Sequence, residues 1–264
     1  MRNANCGSRA ATSAVRSAAR PGLLRAIFGI YAWLEFTLAA MFGLLVLLLT
    51  PGLARRRRFV RLLARVTLRL AGMRIRLSGL QNLTTPCILV ANHCSYIDGV
   101  VLTAALPPSF SFVIKREMAG FPLAGALLRL IGSEFVERID RKAVARDTRR
   151  LLRSAASGQA MAFFPEGTFG EEVGLLRFHI GAFAAAARAR LPVVPVAIRG
   201  TRHCLPAASL WPNPGPIEVE ILPLLPATAA DAAADADVAT RLRDSARASI
   251  LAAVDEPDLA SAQA

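Results

Sequence analysis

The amino-acid sequence predicts an α/β fold: a mixed, mostly parallel sheet flanked by helices, with an N-terminal membrane-embedded, amphipathic helical segment. From residue 74 onward, short runs typical of β-strands alternate with helical stretches, which is the pattern of a layered α/β sheet. Before them stand 23 residues, 27–49, that carry a single charge. A chain of 264 residues is long enough to bury one such core and to carry one attached element.

The alternation defines individual elements and a domain plan. Strands are predicted at 75–77, 87–91, 110–114, 135–136, 161–164, 193–198 and 217–222. Helices are predicted near 97–105, 119–131, 141–156, 181–189 and 238–254. The plan has four parts: a disordered basic N-terminus (1–22), a membrane anchor with an amphipathic interfacial helix (23–72), an α/β domain (73–225) and a C-terminal helix with its tail (226–264).

The formal net charge of +13 belongs to one end of the chain. Residues 1–76 contain fourteen Arg and a single acid, Glu35, so the other 188 residues are balanced. Because this surplus adjoins the longest apolar stretch, it favours a membrane surface with anionic lipids over a nucleic-acid groove. We therefore expect no nucleic-acid partner.

The segment 27–70 is predicted to form the membrane anchor. As one helix, 27–49 extends about 35 Å, enough to cross a bilayer, whereas Glu35 leaves room for two half-helices that dip in and return. The next helix has an apolar face and a basic face: Phe59, Leu62, Leu63, Val66 and Leu70 against Arg58, Arg61, Arg65 and Arg69. This pattern favours an interfacial helix over an ordinary solvated basic face, and the arginine-rich flank is expected in the cytoplasm.

Cysteines and histidines give no sign of a metal site. The four cysteines have no CxxC spacing, and the three histidines form no HExxH motif or Cys/His cluster. We expect reduced thiols in a cytosol-facing domain and no bound metal.

The stretch LVANHCSYIDG, residues 89–99, places His93 and Asp98 five positions apart. Neither a regular helix nor a strand brings side chains at this spacing together, so they can meet only across a turn. The preceding strand would deliver Asn92 and His93 to the carboxyl edge of the sheet, with Asp98 at the start of the next helix. A histidine oriented by a carboxylate can act as a general base. The alternative is a turn histidine beside a helix N-cap.

Two further stretches carry polar groups at strand ends. AMAFFPEGTFG ends a strand in Glu166, Gly167 and Thr168, which offer an acceptor, close backbone approach and a donor, but which alone form only a turn. Lys115 and Arg138 each follow a predicted strand. They can hold a phosphate or carboxylate, or pair with neighbouring acids.

In chain order, these motifs resemble the four-block signature of the glycerolipid acyltransferase family, in particular bacterial 1-acyl-glycerol-3-phosphate acyltransferases. The blocks are Asn92-His93-x4-Asp98 with Lys115 after it, Gly132-x2-Phe135-Val136-x-Arg138, Phe164-Pro165-Glu166-Gly167-Thr168 and Val194-Pro195-Val196-Ala197-Ile198. The resemblance spans about residues 75–200. It makes the α/β domain an acyltransferase domain.

The resemblance implies a membrane-bound O-acyltransferase. Such an enzyme moves a fatty acyl group from acyl-CoA or acyl carrier protein to the free hydroxyl of a lysolipid, here above all 1-acyl-glycerol-3-phosphate, giving phosphatidic acid. His93 would be the general base and Asp98 its orienting partner. The implied substrate-binding residues are Asn92, Lys115, Arg138, Glu166, Gly167 and Thr168. No cofactor is implied. The partners are membrane lipids, the lysolipid and, as one of the two donors, acyl carrier protein.

The implied location is the bacterial inner membrane, with the acyltransferase domain on the cytoplasmic side. One departure from the signature bears on the acceptor. After FPEGT the family commonly has a basic or small polar residue that is associated with the phosphate, whereas this chain has Phe169-Gly170-Glu171-Glu172. Either Arg177 or His179 replaces the missing charge, or the acceptor is another lysolipid, such as lyso-ornithine lipid or a lysophospholipid. A noncatalytic lipid-binding protein of the same fold is the competing class.

Overall fold

The computed structural model describes residues 22–137, 141–227 and 235–260. The helices are α1 (Leu23–Leu49), α2 (Leu53–Leu70), α3 (Asp98–Ala105), α4 (Pro122–Leu130), α5 (Arg141–Ala156), α6 (Gly181–Ala189), α7 (Thr201–Cys204) and α8 (Asp235–Val254). The strands are β1 (Met73–Ser78), β2 (Ile88–Ala91), β3 (Ser111–Lys115), β4 (Glu134–Val136), β5 (Met161–Phe163), β6 (Val193–Arg199) and β7 (Gly215–Ile221). The N-terminus predicted to be disordered lies outside the described residues up to residue 21.

The predicted mixed α/β architecture is confirmed. All seven predicted strands are present, and the five predicted helices correspond to α3, α4, α5, α6 and α8. Three short elements were not predicted: α7 and two 3-10 turns, at Leu80–Asn82 after β1 and at Arg116–Gly120 before α4. Elements of three to five residues are too short to show helical periodicity.

The seven strands form one sheet in the order β1-β7-β6-β2-β5-β3-β4. All neighbouring strands are parallel except β6 and β7. The five strands from β6 to β4 therefore run in one direction, and their carboxyl ends meet at one edge. In open α/β sheets, this edge is where ligands bind.

Helices cover both faces of the sheet. Along β2, Leu89 and Ala91 face a core shared with α2 and α3, whereas Ile88 and Val90 face a second core shared with α5, α6 and α8. Every residue of β2 is buried. A parallel strand covered on both faces is apolar throughout, which explains why its sequence shows no alternation.

Helices α1 and α2 form an antiparallel hairpin that turns at 51–52. The rings of Phe42 and Phe59 lie 6.0 Å apart, and the hydroxyl of Tyr31 donates to the carbonyl of Leu70 over 3.2 Å. Helix α1 is continuous over its 27 residues, so of the two geometries left open by the sequence, the structure has one helix and not two half-helices. It is the one helix among the described residues that is long and apolar enough to cross a membrane.

One side of α1 rests on the α/β domain near both of its ends. Gly29 packs against the ring of Trp211, and Gly43 faces Leu63 of α2 and Leu127 of α4. The indole of Trp33 donates to a carbonyl of the loop that carries Trp211 over 2.6 Å. The opposite side of the hairpin is an exposed apolar surface that includes Ile27, Ile30, Leu34, Leu38, Met41, Leu45, Leu48, Leu62, Val66 and Leu70.

Four arginines of α2 bind protein carbonyls. Arg56 donates to the carbonyl of Thr50 over 2.8 Å. Arg61 and Arg65 donate to the carbonyls of Ala105 and Ala104 over 3.2 and 2.8 Å, and Arg57 donates to three loop carbonyls. The last carbonyls of a helix such as α3 have no partner within the helix, so an arginine side chain stabilises them. The basic face therefore also stabilises α3, a role that its sequence pattern does not reveal. Arg55, Arg58, Arg65 and Arg69 are exposed, and the prediction that this face meets lipid headgroups stays a prediction.

Replacement of Gly200 by alanine should destabilise the fold. Gly200 follows β6 with φ of 88°, and an added Cβ would collide with the carbonyl oxygen of Pro216. Both backbone strain and the clash disfavour alanine. We expect the free energy of unfolding in detergent to fall by roughly 2 kcal/mol or more. Gly181→Ala is the matched control because its Cβ would meet open space, and equal stability of the two variants would contradict the prediction.

Candidate active site

The loops after β2 and β5 meet at the carboxyl edge of the sheet. The two strands pair in parallel, with Val90 opposite Phe163. The same register continues beyond the strand ends, where the backbone N–H of His93 donates to Oε1 of Glu166 over 2.6 Å. The side chain of Glu166 thus takes the place of the next backbone hydrogen bond between the two strands. This contact brings the NHxxxxD and FPEGT motifs together.

His93 and Asp98 are joined as the sequence predicts. His93 Nδ1 lies 2.8 Å from Asp98 Oδ2, across the turn between β2 and α3. The same oxygen accepts the backbone N–H groups of Cys94 and Ser95 over 2.7 and 2.9 Å. Asp98 is fully buried, whereas the His93 side chain is 19% exposed. Because the carboxylate accepts at Nδ1, the proton is assigned to Nδ1, which leaves Nε2 with a free lone pair.

Asp98 combines the two roles that sequence reasoning treated as alternatives. It is the first residue of α3, and its carboxylate caps the N–H groups of the turn while it orients the imidazole. Three donors on one oxygen compensate this carboxylate for its lost contact with water. The other oxygen, Oδ1, is buried and has no hydrogen-bond partner in the described part of the chain.

Glu166 holds backbone on both sides of the site. Its Oε1 accepts the N–H of His93, and its Oε2 accepts the N–H of Leu176 over 2.8 Å. Burial raises the pKa of Glu166 to about 7, and the two N–H groups offset only part of this effect. Both oxygens are occupied by protein, so the described contacts make Glu166 a positioning residue. Its predicted contact with substrate stays a prediction.

Asn92 links β2 to β6. Its Nδ2 donates to the carbonyl of Ile198 over 2.9 Å, and its Oδ1 accepts the N–H of the same residue over 2.7 Å. The side chain is buried and imitates a pair of ladder bonds. Asn92 thereby fixes the backbone just before His93, while its predicted substrate contact stays a prediction.

Two aromatic rings contact the imidazole, and a third packs against one of them. Phe164 stacks on His93 with ring centroids 4.3 Å apart, and Phe169 meets it edge-on at 4.4 Å. Tyr96 lies perpendicular to Phe169 at 4.7 Å and is 61% exposed. Sequence reasoning assigned no role to Tyr96 or Phe164, because an aromatic residue inside a motif gives no periodic signal. Tyr96 occupies one of the four variable positions of the NHxxxxD motif.

The loop after FPEGT is anchored from α7. Arg202 Nη1 donates to the carbonyls of Gly170 and Glu172 over 3.3 and 3.1 Å, and Arg202 Nη2 pairs with Glu256 over 3.2 Å. The loop therefore holds Phe169 against the imidazole in a fixed position.

Of the remaining predicted residues, Lys115, Gly167 and Thr168 lie at the same edge of the sheet. Lys115 ends β3, two strands away from β2, and pairs with Glu117 over 3.2 Å. Arg138 lies outside the described residues, just after β4. Gly167 has φ of 75° and forms the FPEGT turn, and Thr168 is exposed. In the strand order, β5 lies between Lys115 and β2. The substrate contacts predicted for Lys115, Arg138, Gly167 and Thr168 stay predictions.

Comparison with known proteins agrees with this geometry. A family profile described as Acyltransferase matches residues 74–199. The lyso-ornithine lipid O-acyltransferase of Brucella abortus is 33% identical over 198 residues, which cover 69% of this chain and 72% of that protein. The chain belongs to the glycerolipid acyltransferase family. The predicted resemblance is therefore confirmed.

Other members of the glycerolipid acyltransferase family match over shorter stretches. The chloroplastic 1-acyl-sn-glycerol-3-phosphate acyltransferase BAT2 of Brassica napus is 32% identical over 136 residues, 50% of this chain and 39% of that protein. The chain thus spans about two-fifths of the length of such plant relatives. The crystal structure of the 1-acyl-sn-glycerophosphate (LPA) acyltransferase PlsC from Thermotoga maritima superimposes with a TM-score of 0.66 at 20% identity, over 85% of this chain and 97% of that one. This likeness shows the fold.

The raised pKa of Glu166 predicts a pH-dependent loss of stability. The carboxyl titrates near pH 7 in the folded protein, against an ordinary value of 4.5, so the folded state holds the proton more tightly. This contribution is fully present below pH 4.5 and is lost as the pH rises through 7. We expect the free energy of unfolding of the wild type to fall by about 3 kcal/mol more than that of Glu166→Gln between these values.

Denaturant unfolding of both proteins across this pH range measures the difference. Groups that titrate in both proteins cancel in the comparison. Parallel curves for wild type and Glu166→Gln would contradict the prediction.

Proposed function

We propose that this protein is a membrane-bound O-acyltransferase that acylates the free hydroxyl of a lysolipid, with His93 as the general base. The observation that carries the proposal is the 2.8 Å contact between His93 Nδ1 and Asp98 Oδ2. It leaves Nε2 of a partly exposed imidazole as the proton acceptor. The family membership and the PlsC-like fold support the reaction class.

The proposed reaction is a direct transfer from a thioester. The acceptor hydroxyl gives its proton to His93 Nε2 while its oxygen attacks the acyl carbonyl carbon. The tetrahedral intermediate then collapses, the carbon–sulfur bond breaks, and the departing thiolate takes the proton back from the imidazolium. Asp98 stabilises the imidazolium between these two steps. A positioned base of this kind contributes about 10² to 10⁴ in rate.

A covalent enzyme intermediate is not part of this mechanism. The thiol nearest to the base along the chain is Cys94, which is buried and bonded to the hydroxyl of Thr201 at 3.1 Å. Burial strongly raises the pKa of Cys94, so that it stays a neutral thiol at physiological pH. A neutral buried thiol is a poor nucleophile.

The names of the relatives indicate acceptor types but no acyl donor. An acyl thioester, as acyl-CoA or acyl carrier protein, fits the reaction and stays our proposal for the donor. The names of relatives offer two acceptor types: 1-acyl-sn-glycerol-3-phosphate for the plant proteins and lyso-ornithine lipid for the Brucella protein. The motifs predict the first acceptor, and the loop after FPEGT bears on the choice between the two.

We further propose that α1 lies in the membrane surface and does not cross the bilayer. The helix touches the α/β domain at Gly29 and at Gly43, positions that are about 21 Å apart along a helix. A helix held along its length against a water-exposed domain cannot also traverse the hydrocarbon core. The exposed apolar side of the hairpin suits insertion into one leaflet, with Arg55, Arg58 and Arg69 available to anionic headgroups. The proposed location is the cytoplasmic face of a bacterial inner membrane.

Replacement of His93 by alanine should slow acyl transfer sharply. Without the imidazole, no group removes the hydroxyl proton, and we expect the rate to fall by about 10² to 10⁴. Asp98→Asn should also slow transfer, because an amide neither fixes the tautomer nor stabilises the imidazolium. Both variants are assayed as purified protein in mixed micelles with one acyl thioester and a panel of lysolipids. A transfer rate in His93→Ala close to that of the wild type would contradict the catalytic role of His93.

A thiol-labelling experiment tests the orientation of α1. The described cysteines Cys87, Cys94 and Cys204 are buried, and Cys6 precedes the helix. If α1 lies in the surface, both of its ends stay in the cytoplasm. A membrane-impermeant maleimide should then label the protein in inverted membrane vesicles and leave it unlabelled in intact spheroplasts. Cys6→Ser is the control that should lose labelling, and labelling of Cys6 in spheroplasts would mean that α1 crosses the membrane.

A further inference from the structure

Helix α5 carries a row of positive charges on its exposed side. Residues 141–156 contain six Arg or Lys and a single acid, Asp147. Four of the cations are exposed and stand four, three and four positions apart: Lys142, Arg146, Arg149 and Arg153. In an α-helix, these positions fall within about 60° of one another and extend over about 17 Å. These four residues form the basic stripe.

The described acids beside α5 are bonded to cations outside the basic stripe. Asp147 is buried and accepts from Arg116 over 2.7 Å and from Arg150 over 3.1 Å. Glu134 accepts from Arg150 over 2.8 Å. Arg146 Nε lies 4.0 Å from Asp147 Oδ1, and no described carboxylate forms an ion pair with the last two arginines of the stripe. The stripe therefore keeps most of its positive charge.

The basic stripe is unfavourable for α5 by itself. Like charges three and four positions apart repel on a helix, and the first turn contains no acid to match the positive end of the helix dipole. Asp140, outside the described residues, precedes α5 and stands nine positions before Arg149. Nine positions correspond to about 14 Å along a helix, so this acid cannot neutralise the far half of the stripe. An acidic partner would compensate the whole row.

The basic stripe lies on the side of the sheet that faces away from the membrane hairpin. Leu151 stands on the side of α5 opposite to the stripe and packs into the core shared with α6 and α8. Helix α2 covers the core on the other face of the sheet with Ala64 and Leu68. The sheet therefore lies between the stripe and the hairpin that we propose to enter the membrane. This placement directs the stripe toward the aqueous phase.

The shape of the basic stripe favours a protein partner over a small molecule. The Arg146 side chain is 68% exposed, and the stripe follows the outward side of a helix. Small molecules bind in concave sites, so the phosphates of acyl-CoA gain little from cations spread over about 17 Å of helix surface. A protein surface with matching carboxylates can contact the whole row, and such complementarity speeds association and selects the partner.

We infer that the basic stripe is the docking surface for an acidic acyl carrier protein, which delivers the acyl group to His93 as a thioester. The inference rests on the proposed acyltransferase function and decides between the two proposed donors. Acyl carrier proteins are small and acidic, and they bear the acyl group on a long flexible arm. The carrier can therefore dock on α5 while the thioester enters the site.

The position of α5 suits this delivery. The helix begins five residues after β4 ends, and β4 ends at the edge of the sheet where His93 lies. Strands β5 and β3 separate β2 from β4, which places the ends of β2 and β4 about 15 Å apart. Helix α5 also packs beside α6, the helix that follows the FPEGT loop. A carrier docked along α5 thus lies beside the site and leaves the membrane-facing side free for the lysolipid.

The experiment offers one acyl chain on two donors, acyl-CoA and a bacterial acyl carrier protein. The acceptor is the lysolipid that the wild type acylates fastest, in mixed micelles. The triple variant Arg146→Glu, Arg149→Glu, Arg153→Glu should lower kcat/KM for the carrier-bound donor roughly 10- to 100-fold, chiefly by raising KM. Its kcat/KM for acyl-CoA should change less than about twofold, because an exposed helix face does not bind the nucleotide.

Two measurements control for indirect effects. All three replaced side chains are exposed, and Glu is a good helix former, so thermal unfolding of the triple variant should coincide with that of the wild type. Arg241→Glu is the matched control for Arg149→Glu, since both reverse one exposed helical charge but Arg241 lies on α8. Arg149→Glu should lower kcat/KM for the carrier-bound donor about fivefold, and Arg241→Glu should leave it unchanged.

Salt provides an independent readout of the same contact. Exposed charges are screened as the ionic strength rises from about 50 to about 300 mM. The wild-type kcat/KM for the carrier-bound donor should fall over this range, whereas that of the triple variant should stay nearly constant. An equal salt dependence of the two proteins would contradict docking at the stripe.

Three further results would overturn the inference. The first is a wild type that uses acyl-CoA but not the carrier-bound donor. The second is an equal loss on both donors in the triple variant. The third is a triple variant that no longer binds vesicles of anionic phospholipid, which would assign the stripe to the membrane. Because His93→Ala should be slow with both donors, a failure of the catalytic proposal is read from that variant and is independent of the stripe.

Discussion

The site depends on one oxygen atom. Asp98 Oδ2 accepts from His93 Nδ1 and from the N–H groups of Cys94 and Ser95, so that a single carboxylate shapes the turn after β2 and orients the imidazole within it. The remainder of the site extends from this turn. Glu166 and Asn92 hold the backbone on either side of it, one to β5 and the other to β6. The side chains of Glu166 and Asn92 thus position His93, because each makes hydrogen bonds where the backbone of a neighbouring strand would otherwise do so.

Such an arrangement concentrates negative charge in a buried place. Asp98 and Glu166 both lie almost entirely out of contact with water, which is costly unless each charge is compensated. Asp98 is compensated by three donors, whereas the pKa of Glu166 is raised to about 7. Glu166 is therefore only partly ionised near neutral pH while it holds the backbone. The hydrogen bond from His93 N to Glu166 is strongest when Glu166 is ionised.

The fold was predictable from sequence because its strands are short apolar runs separated by clear helical periods. The His93–Asp98 pair was also predictable, since their spacing is compatible only with a turn. By contrast, the hydrogen bonds of Glu166 and Asn92 to the backbone were not predictable. A polar side chain at a strand end can bind either a ligand or the backbone, and the sequence does not distinguish the two. The hydrogen bonds of Arg61 and Arg65 to α3 were not predictable for a related reason: a basic helical face does not reveal which of its side chains donate to carbonyls of a neighbouring helix. Tertiary contacts decide both questions.

The contacts of Gly29 and Gly43 with the α/β domain have a consequence for how a lipid reaches the base. Since α1 packs against the domain at both places, a hairpin inserted in one leaflet as proposed would hold His93 at one height above the lipid surface. A lysolipid that diffuses in the leaflet would then meet the imidazole at a fixed depth along its own length. The distance between the bilayer and the imidazole would select which hydroxyl of the lipid can react, so that regiochemistry would be a property of the anchor as much as of the active site.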